Sequence, residues 1–386
     1  MKTPSLMPRK ALSILGSSPA GDACYHEKSE PFLQIWGFPG GRLYRAGEGL
    51  RVTPATVESR SAVAAAHPQP ASETASPTGA GSEHLRAGET ASRIADYREL
   101  FKIRVTTMVV MTAWAGFYLG SMRSGISSVQ PELLTALLGI GLVSAGSAAL
   151  NECLERKLDA RMLRTAQRPM ATGRIGLAHG IILGLAAIIG GTLWLTHSTN
   201  LVTGTLTLIT AFTYVAVYTP LKRRTTLATF IGAFPGAMPP LLGWTAARGL
   251  IEWPAVALFA ILFVWQFPHF MAISWLYRED YGRAGIRMLP VVQPDGWSTV
   301  LEALTYAVLM IPVSLLPVYL HIAGHIYGAV AIVLGLMYLG YTIRFARITR
   351  ARSAVESKMY ARDLLKVSVV YLPVLLTVLM LNAAGK

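Results

Sequence analysis

From residue 105 onward the hydrophobic positions fall in long continuous runs, not in two-residue alternation. The runs cover residues 105–120, 133–150, 175–195, 201–218, 227–244, 254–276, 299–320, 326–343 and 364–381. Crossing the hydrocarbon core as a helix takes about 20 apolar residues. Continuous runs exclude a transmembrane β-barrel, whose strands alternate lipid-facing and lumen-facing residues. The pattern predicts an all-α polytopic membrane protein with nine transmembrane helices.

Composition agrees: 52% of residues are hydrophobic and only 15% charged, against about 25% charged in soluble domains. The formal net charge of +14 raises nucleic acid as a partner. The basic residues, however, form no aromatic-interleaved patch and lie in clusters between the apolar runs. Arg93, Arg98, Lys102 and Arg104 precede the first run, and Arg156 through Arg174 follow the second. Lys222, Arg223 and Arg224 follow the fourth, Arg278, Arg283 and Arg287 the sixth, and Arg344 through Lys366 the eighth. The other loops carry little beyond Arg123 and Arg248. The positive-inside rule then predicts a cytoplasmic N-terminus and an external C-terminus, with membrane lipid as the surround and no nucleic acid. Residues 1–92 lack any spanning run and are rich in Ser, Ala, Gly, Pro and Thr. They read as a disordered leader, or as a transit peptide, ahead of a membrane domain at 93–386. Cys24 and His26 stand close together there, with too few neighbouring ligands for a metal site. The leader leaves two locations open, a bacterial inner membrane and a mitochondrial inner membrane.

The fifth run holds Gly232, Pro235, Gly236, Pro239 and Pro240. Such glycines permit close helix packing, and the prolines predict a kink or break.

Two acidic constellations carry the candidate chemistry. Asn151, Glu155 and Asp159, spaced i, i+4, i+8 at the end of the second run, share one helix face. Successive oxygens then lie about 6 Å apart. Mg²⁺ takes one or two such carboxylates together with substrate phosphates. Arg161, Arg164 and Arg168 follow, and guanidinium forks suit phosphate oxygens. The alternative is a solvated helix end with its acids paired to arginine. The second constellation closes the sixth run: Trp265, Gln266, Phe267, Pro268 and His269, then Tyr277, Arg278, Glu279, Asp280 and Tyr281. A buried His269 has three readings: a structural hydrogen-bond partner, a haem ligand or an acid–base group. The two constellations have the look of a weak internal repeat. Asp159 leads to Arg168, Pro169 and Met170, and Asp280 leads to Arg287, Met288, Leu289 and Pro290. A repeat would set both acidic motifs across one cavity. After the fourth run, Tyr218, Lys222, Arg223 and Arg224 serve as a positive-inside loop, as further diphosphate neutralisation, or as both. No phosphate-binding glycine loop, nucleophile elbow or Cys/His metal spacing occurs. What remains is metal-assisted departure of a diphosphate, with an apolar cavity sheltering the allylic cation.

These residues resemble the intramembrane prenyltransferases of the UbiA type, and within them the haem-modifying branch. The likeness spans roughly residues 95–383. It rests on Asn151-x₃-Glu155-x₃-Asp159 with Arg161, Arg164, Arg168 and Pro169; on Tyr218-Thr219-x-x-Lys222-Arg223-Arg224; on Gly236-Ala237-x-Pro239-Pro240 with Gly243 and Trp244; and on Trp265-Gln266-Phe267-Pro268-His269 with Arg278-Glu279-Asp280-Tyr281. Lys102-Ile103-Arg104 departs from the usual Lys-Pro-Arg. The resemblance implies nine helices around a central cavity, Mg²⁺, and farnesyl diphosphate and haem B as substrates. Carbon 1 of the farnesyl group would join a haem vinyl group with addition of water, and the product would serve terminal oxidases, with a haem A synthase downstream. It also implies roles. Asn151, Glu155 and Asp159 would hold Mg²⁺–diphosphate, and Arg164, Arg168, Lys222 and Arg223 would neutralise phosphate. Asp280, with Glu279, would hold a second metal or orient the leaving group, Tyr218 would bind substrate, and His269 would orient the haem or ligate its iron. A quinone-precursor prenyltransferase and a haem or lipid transporter are the competing readings.

Overall fold

The computed structural model describes residues 92–123 and 131–383. The leader, with Cys24 and His26, lies outside these residues apart from its last position, where a helix over 92–100 begins. Nine long helices follow. They are α1 (Ile103–Arg123), α2 (Pro131–Asp159), α3 (Leu177–Ser198), α4 (Leu201–Phe212), α5 (Ala228–Arg248), α6 (Trp253–Leu276), α7 (Trp297–Ser314), α8 (His325–Phe345) and α9 (Ala354–Leu381). Each overlaps one of the nine apolar runs, and no named strand occurs among the described residues.

Eight helical segments are long and apolar enough to cross a membrane; α5 is the long helix that falls short. Its glycines, prolines and threonines lower its hydropathy without shortening it. It runs unbroken through Pro235, Pro239 and Pro240, where the sequence predicts a kink or break. Neighbouring helices hold it. The Gln266 amide of α6 donates to the Ala233 carbonyl at 2.8 Å, and Trp244 at its far end is fully buried.

Consecutive helices pack side by side, and α9 returns to touch α1. α5 lies against α1, α2, α4 and α6. Lipid supplies no hydrophobic drive between helices, so close packing depends on small residues. The α1–α5 contact shows this from both sides. A Cβ on Gly116 would strike the Pro240 carbonyl, and one on Gly243 would strike the Ala113 carbonyl. Asn200 caps α4 by accepting from the Thr203 N–H at 2.9 Å, and its amide donates to the Thr245 carbonyl of α5.

The proposed internal repeat has a structural counterpart. After α2 the chain turns into a four-residue helix, Pro169–Thr172; after α6 and the short helix Arg278–Ala284 it enters another, Leu289–Val292. Both four-residue helices have an extended residue before them and proline in their first turn, where the missing N–H costs nothing. Leu158 at the end of α2 and Met162 of the loop after it pack on Ala284 and Ile286 of the second loop. The Arg287 N–H donates to the Lys222 carbonyl at 2.9 Å, which ties in the α4–α5 loop. Three loops from three parts of the chain thus meet at one end of the bundle.

Candidate active site

Where those loops meet lies a cavity of about 160 Å³. It is lined by Asn151, Glu155, Asp159, Arg164 and Arg168 from α2 and its loop, by Lys102, by Tyr214, Tyr218 and Lys222, and by Tyr281 with Met162, Ile286 and Met288. The i, i+4, i+8 stripe faces it as the spacing predicts, and it is deeply buried: Asn151 is 1%, Glu155 6% and Asp159 1% exposed.

Each oxygen-bearing side chain of the stripe is held by its own cation. Lys102 Nζ donates to Asn151 Oδ1 at 2.7 Å. Lys222 Nζ donates to Glu155 Oε1 at 2.9 Å. Arg168 Nη1 donates to Asp159 Oδ2 at 3.0 Å. Buried carboxylates demand such partners, because an unpaired buried charge is prohibitively costly. The cations come from three separate segments, so only the tertiary fold makes this alternating array. Burial lowers the Lys102 ammonium to about 8, and the nearby Arg168 guanidinium pushes the same way. Burial also works against the charges on Lys222 and Arg168, but there the partners outweigh it. Tyr218 and Glu155 raise Lys222, Asp159 raises Arg168, and both groups hold their protons more tightly than usual.

Local backbone serves the same array. Lys102 has a positive φ of 44°, a left-handed conformation that disfavours a side chain with Cβ and concentrates at functional sites. α4 ends in a π-turn, Thr213–Tyr218, before the short helix Thr219–Leu221. Such turns occur disproportionately at functional sites. Here the turn sets Tyr214 and Tyr218 on the cavity wall beside Lys222, whose ammonium lies 4.5 Å from the Tyr218 ring centroid. The Asn151 amide donates to Thr219 Oγ1 at 3.1 Å, and Thr219 Oγ1 donates to the Tyr214 carbonyl at 2.9 Å. One chain of hydrogen bonds therefore joins the start of α1, the end of α2 and the π-turn.

Other expected site residues sit differently. Arg164 lines the cavity with its guanidinium 5.1 Å from the Tyr277 ring centroid, and its Nε is buried without a partner. Arg223 is exposed and outside the cavity lining. Asp280 is buried beside the cavity and paired with Arg283, and Glu279 is exposed and paired with Lys358 at 3.1 Å. The second loop contributes Tyr281 to the cavity, and its two acids are not among the lining residues. His269 lies within the span of α6 facing α9, stacked on Trp265 at 4.9 Å, with Nδ1 2.8 Å from Ser368 Oγ. Ser368 Oγ gives its own hydrogen to the Leu365 carbonyl at 2.6 Å. It therefore accepts from His269 Nδ1–H, and the Nε2 lone pair remains on the other side of the ring.

Sequence reasoning missed three participants. Lys102 was visible as a loop charge and in the Lys102-Ile103-Arg104 run, with no site role attached. Tyr214 lies on the stripe Tyr214, Tyr218, Lys222, a four-residue spacing legible in hindsight. Glu152 is fully buried behind the stripe; one oxygen accepts from the Met170 N–H at 3.4 Å and the other has no partner.

The donors present suit Mg²⁺. They are oxygens, one or two are carboxylates, and Asp159 Oδ1 is buried without a partner. No three His, Cys, Asp or Glu residues converge on one point among the described residues, so phosphate oxygens and water would have to complete the shell.

The cavity at one end of the membrane bundle is walled by lysine, arginine and carboxylate, a set of groups suited to an anionic ligand with a metal ion. Residues 109–364 match the UbiA prenyltransferase family. The chain is 54% identical over 292 residues to a protoheme IX farnesyltransferase from Koribacter versatilis (strain Ellin345), covering 76% of this chain and 94% of that protein. It is 40% identical over 296 residues to one from Solibacter usitatus (strain Ellin6076), covering 75% and 99%. Its fold is similar to that of a solved digeranylgeranylglyceryl phosphate synthase, with a TM-score of 0.62 at 17% identity over 75% of this chain and 98% of that one. It is also similar to a UbiA homologue from Archaeoglobus fulgidus bound to GPP and Mg²⁺, with a TM-score of 0.51 at 15% identity over 74% and 99%. The protein is a multi-pass membrane prenyltransferase. It belongs to the UbiA prenyltransferase family.

Proposed function

We propose that this chain transfers the farnesyl group of farnesyl diphosphate to a vinyl group of haem B, giving haem O and diphosphate. The observation that carries the chemistry is the one-to-one pairing of Asn151, Glu155 and Asp159 with Lys102, Lys222 and Arg168 around one cavity. The acceptor follows from the relatives, which are named for farnesyl transfer to protohaem over most of their length.

The reaction breaks the C1–O bond of farnesyl diphosphate, and the bonding pair leaves with diphosphate. C1 then bonds to the terminal vinyl carbon, and water adds to the adjacent carbon with loss of a proton. Mg²⁺, when bound by Asp159 and Glu155 with the substrate phosphates, supplies Lewis-acid neutralisation of the leaving group. Lys102, Lys222 and Arg168 would turn from their amide and carboxylate partners to the phosphate oxygens, leaving the freed Glu155 and Asp159 carboxylates to the metal. Arg164, with a buried Nε free, adds a guanidinium donor. His269 offers Nε2 to the haem, and Ser368 fixes the ring that does so. In this reading the cavity faces the cytoplasm of a bacterial inner membrane.

The test is extraction and chromatography of haem from cells expressing the chain, with and without Asp159→Ala. A new, more hydrophobic haem made only by the unsubstituted chain is the expected result. Absence of that haem from both, beside a working control enzyme, overturns the acceptor assignment and directs the search to quinone precursors. Haem transport that persists in Asp159→Ala without any new product would point to a transporter. His269→Ala is expected to weaken haem binding; unchanged haem affinity removes His269 from the acceptor site.

A further inference from the structure

The cavity holds two tyrosine rings from the π-turn after α4, and the structure distinguishes them. The face of Tyr218 is covered by the Lys222 ammonium at 4.5 Å. Tyr214 lies beside it, ring centroids 5.5 Å apart and planes tilted by 32°. Among the described residues no cation lies over Tyr214, and its hydroxyl has no hydrogen-bond partner. The third lining tyrosine, Tyr281, packs into the apolar cluster of Leu158, Met162 and Ile286.

Position along α4 matters as much. Lys222, at the helix end, holds the level of the diphosphate-binding carboxylate Glu155. Tyr218 and Tyr214 follow at four-residue steps back along the π-turn, towards the membrane interior. A prenyl diphosphate entering with its anion among the cations and its chain towards lipid puts C1 below Lys222, at the level of these rings. As the C1–O bond ionises, positive charge appears on C1 and C3 of the allyl system. An aromatic face attracts such a charge electrostatically, most strongly where water is excluded. We propose that Tyr214 is a catalytic residue whose uncovered ring face stabilises the allylic cation of the departing prenyl chain. The inference rests on the prenyl-transfer reading but not on haem as acceptor.

The test replaces Tyr214 by phenylalanine as reference, by phenylalanines carrying two and three ring fluorines, and by leucine. Fluorination drains the ring's negative face while nearly preserving its shape. Two rates are measured: kcat for prenylated haem, and exchange of ¹⁸O between bridging and non-bridging positions of labelled farnesyl diphosphate, which reports ionisation whatever the acceptor. Binding of farnesyl thiodiphosphate, which ionises poorly, monitors the ground state and the fold. The expected result is a stepwise fall in both rates with fluorination and a loss of roughly 30-fold for Tyr214→Leu relative to phenylalanine, with thiodiphosphate affinity held within about threefold. That loss corresponds to about 2 kcal/mol at 1.36 kcal/mol per tenfold. Rates that stay flat across the series overturn the proposal, as does a leucine effect confined to affinity. Exchange without prenylated haem in the unsubstituted chain overturns the acceptor and leaves Tyr214 judged by exchange; neither activity in that chain overturns both.

Discussion

Lys222→Met isolates the buried pair at the centre of the array. Methionine keeps most of the length of the side chain and deletes its charge. The Lys222 and Glu155 side chains are 12% and 8% exposed, with 2.9 Å between Nζ and Oε1. Their direct attraction is about 6 kcal/mol at an effective dielectric of 20. Much of it offsets the desolvation of two charges, so the pair's net value is small. Deleting one partner is different, because it strands a buried carboxylate and costs about 3–5 kcal/mol. At roughly 2–4 °C per kcal/mol for a chain of this size, the melting temperature should fall by about 10 °C. Cys153 is buried, so a thiol-reactive dye can report unfolding in detergent once Cys24 is replaced by serine. Adding Glu155→Gln to Lys222→Met removes the stranded charge and should restore most of the stability, while the double variant stays without prenyl transfer. Single and double variants that melt together, or a single variant that melts with the parent, would refute the claim that Lys222 neutralises a buried carboxylate.

Asp159→Asn keeps the shape and removes the anion facing Arg168; turnover should drop by about 10² or more, and chelation of divalent ions should abolish it in the parent, both read as prenylated product. Lys102 titrates near 8 in the folded chain, below its ordinary 10.5. The folded state therefore loses this proton before the unfolded state does, so its contribution to stability rises between about pH 8 and 10.5. Activity moves the other way: kcat/KM for farnesyl diphosphate should fall as pH rises through about 8, and Lys102→Arg should remove that limb; a profile unaltered by Lys102→Arg would exclude Lys102 as its source. Gly116→Ala places a methyl group against the Pro240 backbone, with the carbonyl carbon at 2.6 Å. A rigid backbone neighbour cannot swing aside, so a loss of about 1–3 kcal/mol is expected in detergent melts.

The linear sequence determined the membrane-spanning class, because continuous apolar runs and clustered loop charges leave no soluble alternative. It also determined the oxygen stripe on α2, since i, i+4, i+8 spacing acts within one helix and needs no knowledge of the rest of the chain. It left α5 open between a kink and a break at its three prolines; the helix continues because its neighbours confine it, and α1 receives it through Gly116 and Gly243. What only the tertiary structure decided was the pairing of charges. Lys102, Arg168 and Lys222 come from three separate segments, and nothing in their spacing says which acid or amide each will meet. A tertiary contact also turned Glu279 towards Lys358, whereas Asp280 meets Arg283 three residues on in its own short helix, and the π-turn brought Tyr214 into the cavity beside Tyr218. Helical periodicity is local and can be read along the chain. Compensation of buried charge is a long-range requirement, met only when distant loops meet in the folded bundle.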